Sequence, residues 1–167
     1  TTLLTMIDSI TSRGWQVVAV VPRRSPLRDL VGAPGVIGVF GADADAEKVR
    51  EVLDGLPSPF AVVIDDLELL GQDSPLAELI DARVALLRDT GNLMIGAGTG
   101  SDLTSMYRGP VVSLKKSRAG IVLNPQKYDD AEIFGIQLPR GMAGGAPPGR
   151  ALLVTGGRYE PVQVARS

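Results

Sequence analysis

The chain has 167 residues, with 17 Lys and Arg against 19 Asp and Glu and a formal net charge of −2. Hydrophobic residues make up 44% of it, enough to bury a sizeable core in one domain. Cysteine and histidine are both absent, which excludes disulfides, thiolate zinc sites, histidine ligation and every catalytic triad built on histidine.

The near-neutral charge argues against a broad nucleic-acid face. Any metal would be a hard cation on oxygen ligands, most simply Mg²⁺. No apolar run approaches the roughly 20 residues that span a bilayer, so this chain itself is expected to be soluble and to make no membrane contact. It opens on TTLLTMIDSI without an initiator Met, which suggests that an upstream segment is missing.

Leu3, Leu4, Ile7 and Ile10 fall at helical spacing and predict a helix over 1–12, ended by Gly14. WQVVAVV, 15–21, reads as a strand covered on both faces. PRRSPLRDLV follows, broken by two prolines and with a short helical turn after Pro26. GVIGVF, 35–40, is a second strand, and 43–56 a helix with an Asp cap. AVVID, 61–65, is the third strand. A helix over 74–89 has Ser74 as cap and Pro75 at its first position. NLMIGAG, 92–98, is the fourth strand, and 101–109 a short helix or turn. This alternation is the signature of a parallel α/β sheet. The last third reads as β-rich: VVSLKK, IVLNP and EIFGIQLP are short pieces, 138–150 is a Gly/Pro-rich loop, and 151–165 is a hairpin about Gly156–Gly157.

The first candidate for chemistry is AVVIDDLELL, 61–70. Four apolar residues fill the sheet, and Asp65 then emerges at its C-terminal edge, where open parallel sheets bind ligands. In P-loop ATPases an aspartate at this point supports Mg²⁺ or its water shell, and an adjacent acidic residue orients the attacking water. Asp65 and Asp66 fit those places, with the short side chain of Asp66 reaching less far than a glutamate. Equally, both can simply cap the following turn. The partner motif, G-x-x-x-x-G-K-[ST], is not in the chain. Thr1 or Thr2 could be its final hydroxyl residue or lie one step past it, or the helix could simply begin there. GAGTGSD, 96–102, is a glycine-rich turn or a close approach to a ligand. Arg23, Arg24 and Arg28 form a salt-bridged patch or a contact for protein or nucleotide. Arg83 and Arg88 could reach across a subunit interface, and Trp15 is most simply a packing residue.

PRRSPLRDL at 22–30, AVVIDDLELL at 61–70, YRGPVVSLKKSRAGIVLNP at 107–125, FGIQLPRGMAGGAPPGRALLV at 134–154 and PVQVA at 161–165 come in an order that resembles a C-terminal ATPase domain of the FtsK/SpoIIIE type. The likeness is strongest to the multi-domain EccC-like ATPases of type VII secretion. It implies a P-loop NTPase fold of RecA/FtsK kind: a largely parallel sheet flanked by helices, with a terminal β-hairpin. It implies one such domain over 1–167, lacking its N-terminal strand and Walker A loop.

By the same resemblance Asp65 and Asp66 match the acidic pair of the Walker B strand, with Asp65 as the metal residue and Asp66 as the catalytic one. Thr1, Thr2 and Asp65 would bind the cofactors, ATP and Mg²⁺. Pro147 to Arg150 match a structural turn before the hairpin. The partners implied are neighbouring ATPase modules of the same polypeptide or oligomer and an exported protein substrate, on the cytoplasmic side of a membrane-anchored complex. Activity would be weak or degenerate. The alternatives are an FtsK-like DNA translocase motor and a catalytically dead docking domain for signal segments of exported proteins.

Overall fold

A computed structural model describes residues 2–71, 73–139 and 147–164, with Arg88 described by its backbone alone. Most of the expected loop over 138–150 and the last residue of PVQVA lie outside that set.

Four parallel strands, β1 (Gln16–Val20), β2 (Val36–Phe40), β3 (Phe60–Ile64) and β4 (Leu93–Gly96), form a sheet in the order β2-β1-β3-β4. The continuous apolar runs of β1 and β3 suit its centre, because side chains of both parities are covered. Val18, Val20, Val62 and Ile64 face the core built with α2 (Ala46–Asp54), α3 (Pro75–Asp89) and α5 (Pro110–Lys115). Val17, Ala19, Val21, Ala61 and Val63 face the opposite core, built with Ile7 of α1 (Thr2–Thr11) and Leu27. The fold is therefore α/β, with a parallel sheet between helices. The capping residues act as read from the sequence. Asp45 accepts from Glu47 N at 3.0 Å to start α2, and Ser74 Oγ accepts from Ala77 N at 3.1 Å to start α3.

A second sheet is antiparallel, in the order β5 (Gly120–Leu123), β6 (Arg150–Thr155), β7 (Arg158–Gln163). Its terminal hairpin turns on Gly156 and Gly157, both at positive φ, as a two-residue turn matched to strand twist requires. The turn before it is pinned to the end of β7: Val164 N donates to Gly149 O at 2.8 Å and Gln163 Nε2 to Pro148 O at 3.0 Å.

Two stretches depart from expectation. EIFGIQLP, read as part of the β-rich third, opens as a 3₁₀ turn over Glu132–Phe134 and contributes no strand over 132–139. VVSLKK, also read as part of the β-rich third, is helical. Gly109 takes φ 74, Pro110 occupies the first helical turn, and Val111 is buried against the main core. Lys115 thus lies on α5 and donates to the carbonyls of Thr104 and Met106, each at 3.1 Å. These close the C-terminal end of α4 (Gly100–Ser105). Burial lowers the Lys115 pKa below the ordinary lysine value.

Candidate functional site

β1 continues to β2 on one side of the sheet, and β3 continues to β4 on the other. The carboxyl ends of β1 and β3 therefore flank the point where the strand order reverses, the usual ligand crevice of an open α/β sheet. Here Val20 pairs with Ile64, and Asp65 N donates to Val20 O at 3.0 Å. Within three residues of its end, each strand releases its chemistry: Arg23 from β1, and Asp65 and Asp66 from β3.

Asp65 is half-buried, and its Oδ1 accepts from Asp66 N at 3.2 Å. Its Oδ2 has no protein partner among the described residues. Asp66 is buried, with 9% of its surface exposed, and adopts the left-handed conformation at φ 47, ψ 53. Aspartate tolerates that region better than most side chains. The turn over Leu67–Leu69 begins at Asp66, yet the Asp66 side chain makes no capping hydrogen bond to it. Instead its carboxylate accepts a bidentate pair from Arg23: Nε donates to Oδ2 at 2.6 Å and Nη2 to Oδ1 at 2.9 Å. This hydrogen bonding, with the charge of Asp66 next, raises the Arg23 pKa above the ordinary arginine value. Arg23 is thus a permanent cation in the site.

The loop after β4 meets the loop after β3. Leu67 N donates to Ala97 O at 2.8 Å, and Thr99 N donates to Glu68 Oε1 at 3.2 Å. Glu68 Oε2 is buried and finds no partner among the described residues. A Cβ at Gly98 would run into that oxygen. Within the chain, the close approach permitted by GAGTGSD is therefore to Glu68. Arg28 is spent on backbone: Nη2 donates to Val21 O at 2.9 Å and Nε to Arg23 O at 3.3 Å. Arg24 is exposed and has no partner among the described residues.

The structure therefore brings Asp65 and Asp66 together with Arg23. Thr2 opens α1, which packs on β1 and β3, while Thr1 lies outside the described residues. Arg83 is turned inward, donating from Nη2 to Asp54 Oδ1 at 2.6 Å, so its guanidinium is tied within the chain. The Arg88 side chain lies outside the described set. The Arg23–Asp66 pair is what local sequence pattern could not supply, since 43 residues separate its members. The only signal was the coincidence of two candidate stretches, each following an apolar strand.

No family model matches the chain. No curated protein matches it either. Solved structures do. EssC (ATPases 2 and 3) from Geobacillus thermodenitrificans superposes with a TM-score of 0.67 at 15% identity, covering 97% of this chain and 33% of that one. Thermomonospora curvata EccC (ATPases 2 and 3), in complex with a signal sequence peptide, gives a TM-score of 0.63 at 20% identity over 92% of this chain and 31% of that one. A structure described only as an ATPase gives 0.63 at 25% identity over 92% and 63%. The chain spans about a third of the length of the EssC structures it matches. It has the fold of the cytoplasmic ATPase domains of EssC and EccC, across most of its residues.

Proposed function

We propose that the chain is one ATPase-like module, over 1–167, of a multi-domain type VII secretion ATPase. It would bind ATP with Mg²⁺ and hydrolyse it weakly or not at all. The observation that carries this reading is Asp65: a carboxylate at the end of a fully buried parallel strand, at the switch point, with Oδ2 left unpartnered by the described residues. Mg²⁺ is commonly held by one or two carboxylates together with phosphates and water. Among the described residues no three His, Cys, Asp or Glu side chains gather around a common point. A single outward carboxylate fits an ion whose other ligands come with the nucleotide.

Asp65 would hold the Mg²⁺ side of the site. Asp66 would orient the attacking water with the lone pairs that Arg23 leaves free, and the fork to Arg23 already engages both of its oxygens, in keeping with weak hydrolysis. Bound Mg²⁺ would neutralise phosphate charge during transfer. Thr1 and Thr2 would stand at or just past the end of a phosphate-binding loop. The likeness to EccC solved with a signal sequence peptide supports an exported protein as a partner, alongside neighbouring modules. The domains it resembles include ones described as cytoplasmic, which supports a place on the cytoplasmic side of the membrane.

Calorimetry of ATP with Mg²⁺ on the longer parent protein tests the reading. Asp65→Ala is expected to weaken binding about tenfold, the loss of one charge-assisted contact. Unchanged affinity would remove Asp65 from the site.

A further inference from the structure

Residues 22–29 leave β1 and fold into a 3₁₀ turn at Pro26–Leu30, with Ser25 Oγ accepting from Leu27 N at 3.3 Å. They enclose an open cleft of about 640 Å³ lined by Arg23, Arg24, Ser25, Arg28 and Asp29. Two of its three guanidiniums are held in place from behind. Arg28 is fixed by the carbonyls of Val21 and Arg23. Arg23 is fixed along one edge by the fork to Asp66, and its side chain remains 66% exposed while that of Asp66 is 12% exposed. A guanidinium bound along one edge still has N–H donors for a second acceptor. Arg24 adds a cation with no internal partner among the described residues. Asp29 is the one carboxylate of the lining, and the guanidiniums outnumber it.

We propose that this cleft binds a phosphate-type oxyanion through Arg23 and Arg24, with Asp66 as the residue that positions Arg23. Planar guanidiniums bind carboxylate and phosphate with the same forked geometry, so a guanidinium clamped by a carboxylate is preorganised for an oxyanion on its free edge. The site requires neither Mg²⁺ nor a phosphate-binding loop. It therefore stands or falls separately from the nucleotide reading.

The test is titration of the 167-residue chain with inorganic phosphate, without Mg²⁺, at constant ionic strength, followed by amide chemical shifts. Saturable shifts confined to the 22–29 segment and Asp66 are expected. Arg24→Gln, which touches no hydrogen bond or ion pair among the described residues, should weaken binding about tenfold, as should Arg23→Lys, which keeps the charge and loses the fork. Asp66→Asn provides the decisive sign. Removing a nearby negative charge should tighten phosphate binding if bulk electrostatics governs, and should weaken it if Asp66 positions Arg23. Asparagine accepts the left-handed backbone, so the variant keeps the turn. Tripolyphosphate compared with ATP identifies the source: equal affinity marks a bare phosphate chain, and tighter ATP marks a nucleotide tail. Absence of saturation, wild-type affinity in Arg24→Gln, or tighter binding in Asp66→Asn would each overturn the proposal.

Discussion

At the scale of single residues, the site is organised by carboxylates that serve different neighbours. Asp65 accepts from Asp66 N and leaves Oδ2 without a partner among the described residues, Asp66 holds Arg23, and Glu68 holds the loop after β4 through Thr99 N. Gly98 is where this arrangement is tightest. An added methyl would meet Glu68 Oε2 and lie 3.1 Å from Leu103 Cδ2, so Glu68 would have to abandon Thr99. Gly98→Ala is expected to cost about 1–2 kcal/mol, through loss of the charge-assisted Thr99 N to Glu68 hydrogen bond. Glu68→Ala in the same chain removes the clashing group. The double variant should therefore be more stable than the sum of the single effects by more than about 0.5 kcal/mol. Urea unfolding followed by Trp15 fluorescence measures this cycle. Strict additivity would show that Gly98 is small for another reason.

At the scale of elements, α3 carries the layer over the sheet. Leu76, Ala77 and Ile80 are fully buried against β1 and β3, while polar pairs join α3 to its neighbours, Arg83 to Asp54 on α2 and Asp81 to Ser113 on α5. Packing should outweigh the ion pair, because Asp54 is 56% exposed. Ile80→Ala is expected to cost about 2–5 kcal/mol through the cavity it leaves, and Arg83→Gln less than about 1 kcal/mol. Equilibrium denaturation compares them, and a larger loss for Arg83→Gln would reverse the ranking. The elements themselves were largely legible in the sequence, since β1 and β3 are unbroken apolar runs and Asp45 and Ser74 are recognisable caps. VVSLKK was not. Its β-branched valines favour a strand locally, and only Gly109 and Pro110 ahead of it, with burial of Val111, turn the segment into α5.

At the scale of the whole molecule, the sequence reading and the structure separate at long range. That Asp65 ends a strand follows from the run before it. That Asp66 meets Arg23 follows from β1 and β3 being neighbours, a property of strand order rather than of any local pattern. The same scale shows two sheets with separate interiors. β1 and β3 have a strand on either side and a core on each face, whereas β5, β6 and β7 rest on a smaller cluster that includes Val122, Ile136, Leu152 and Val154. Stability should follow that difference, because units with less buried apolar surface open without global unfolding. Native-state hydrogen exchange is therefore expected to place Val18 and Val62 amides at the global unfolding free energy. Leu152 and Val154 should open together at a value lower by more than about 1 kcal/mol. Central strands of both sheets have paired backbone groups, so the comparison isolates cooperative opening from local fraying. Equal protection of all four amides would mean that the second sheet unfolds only with the first, and that the two interiors act as one cooperative unit.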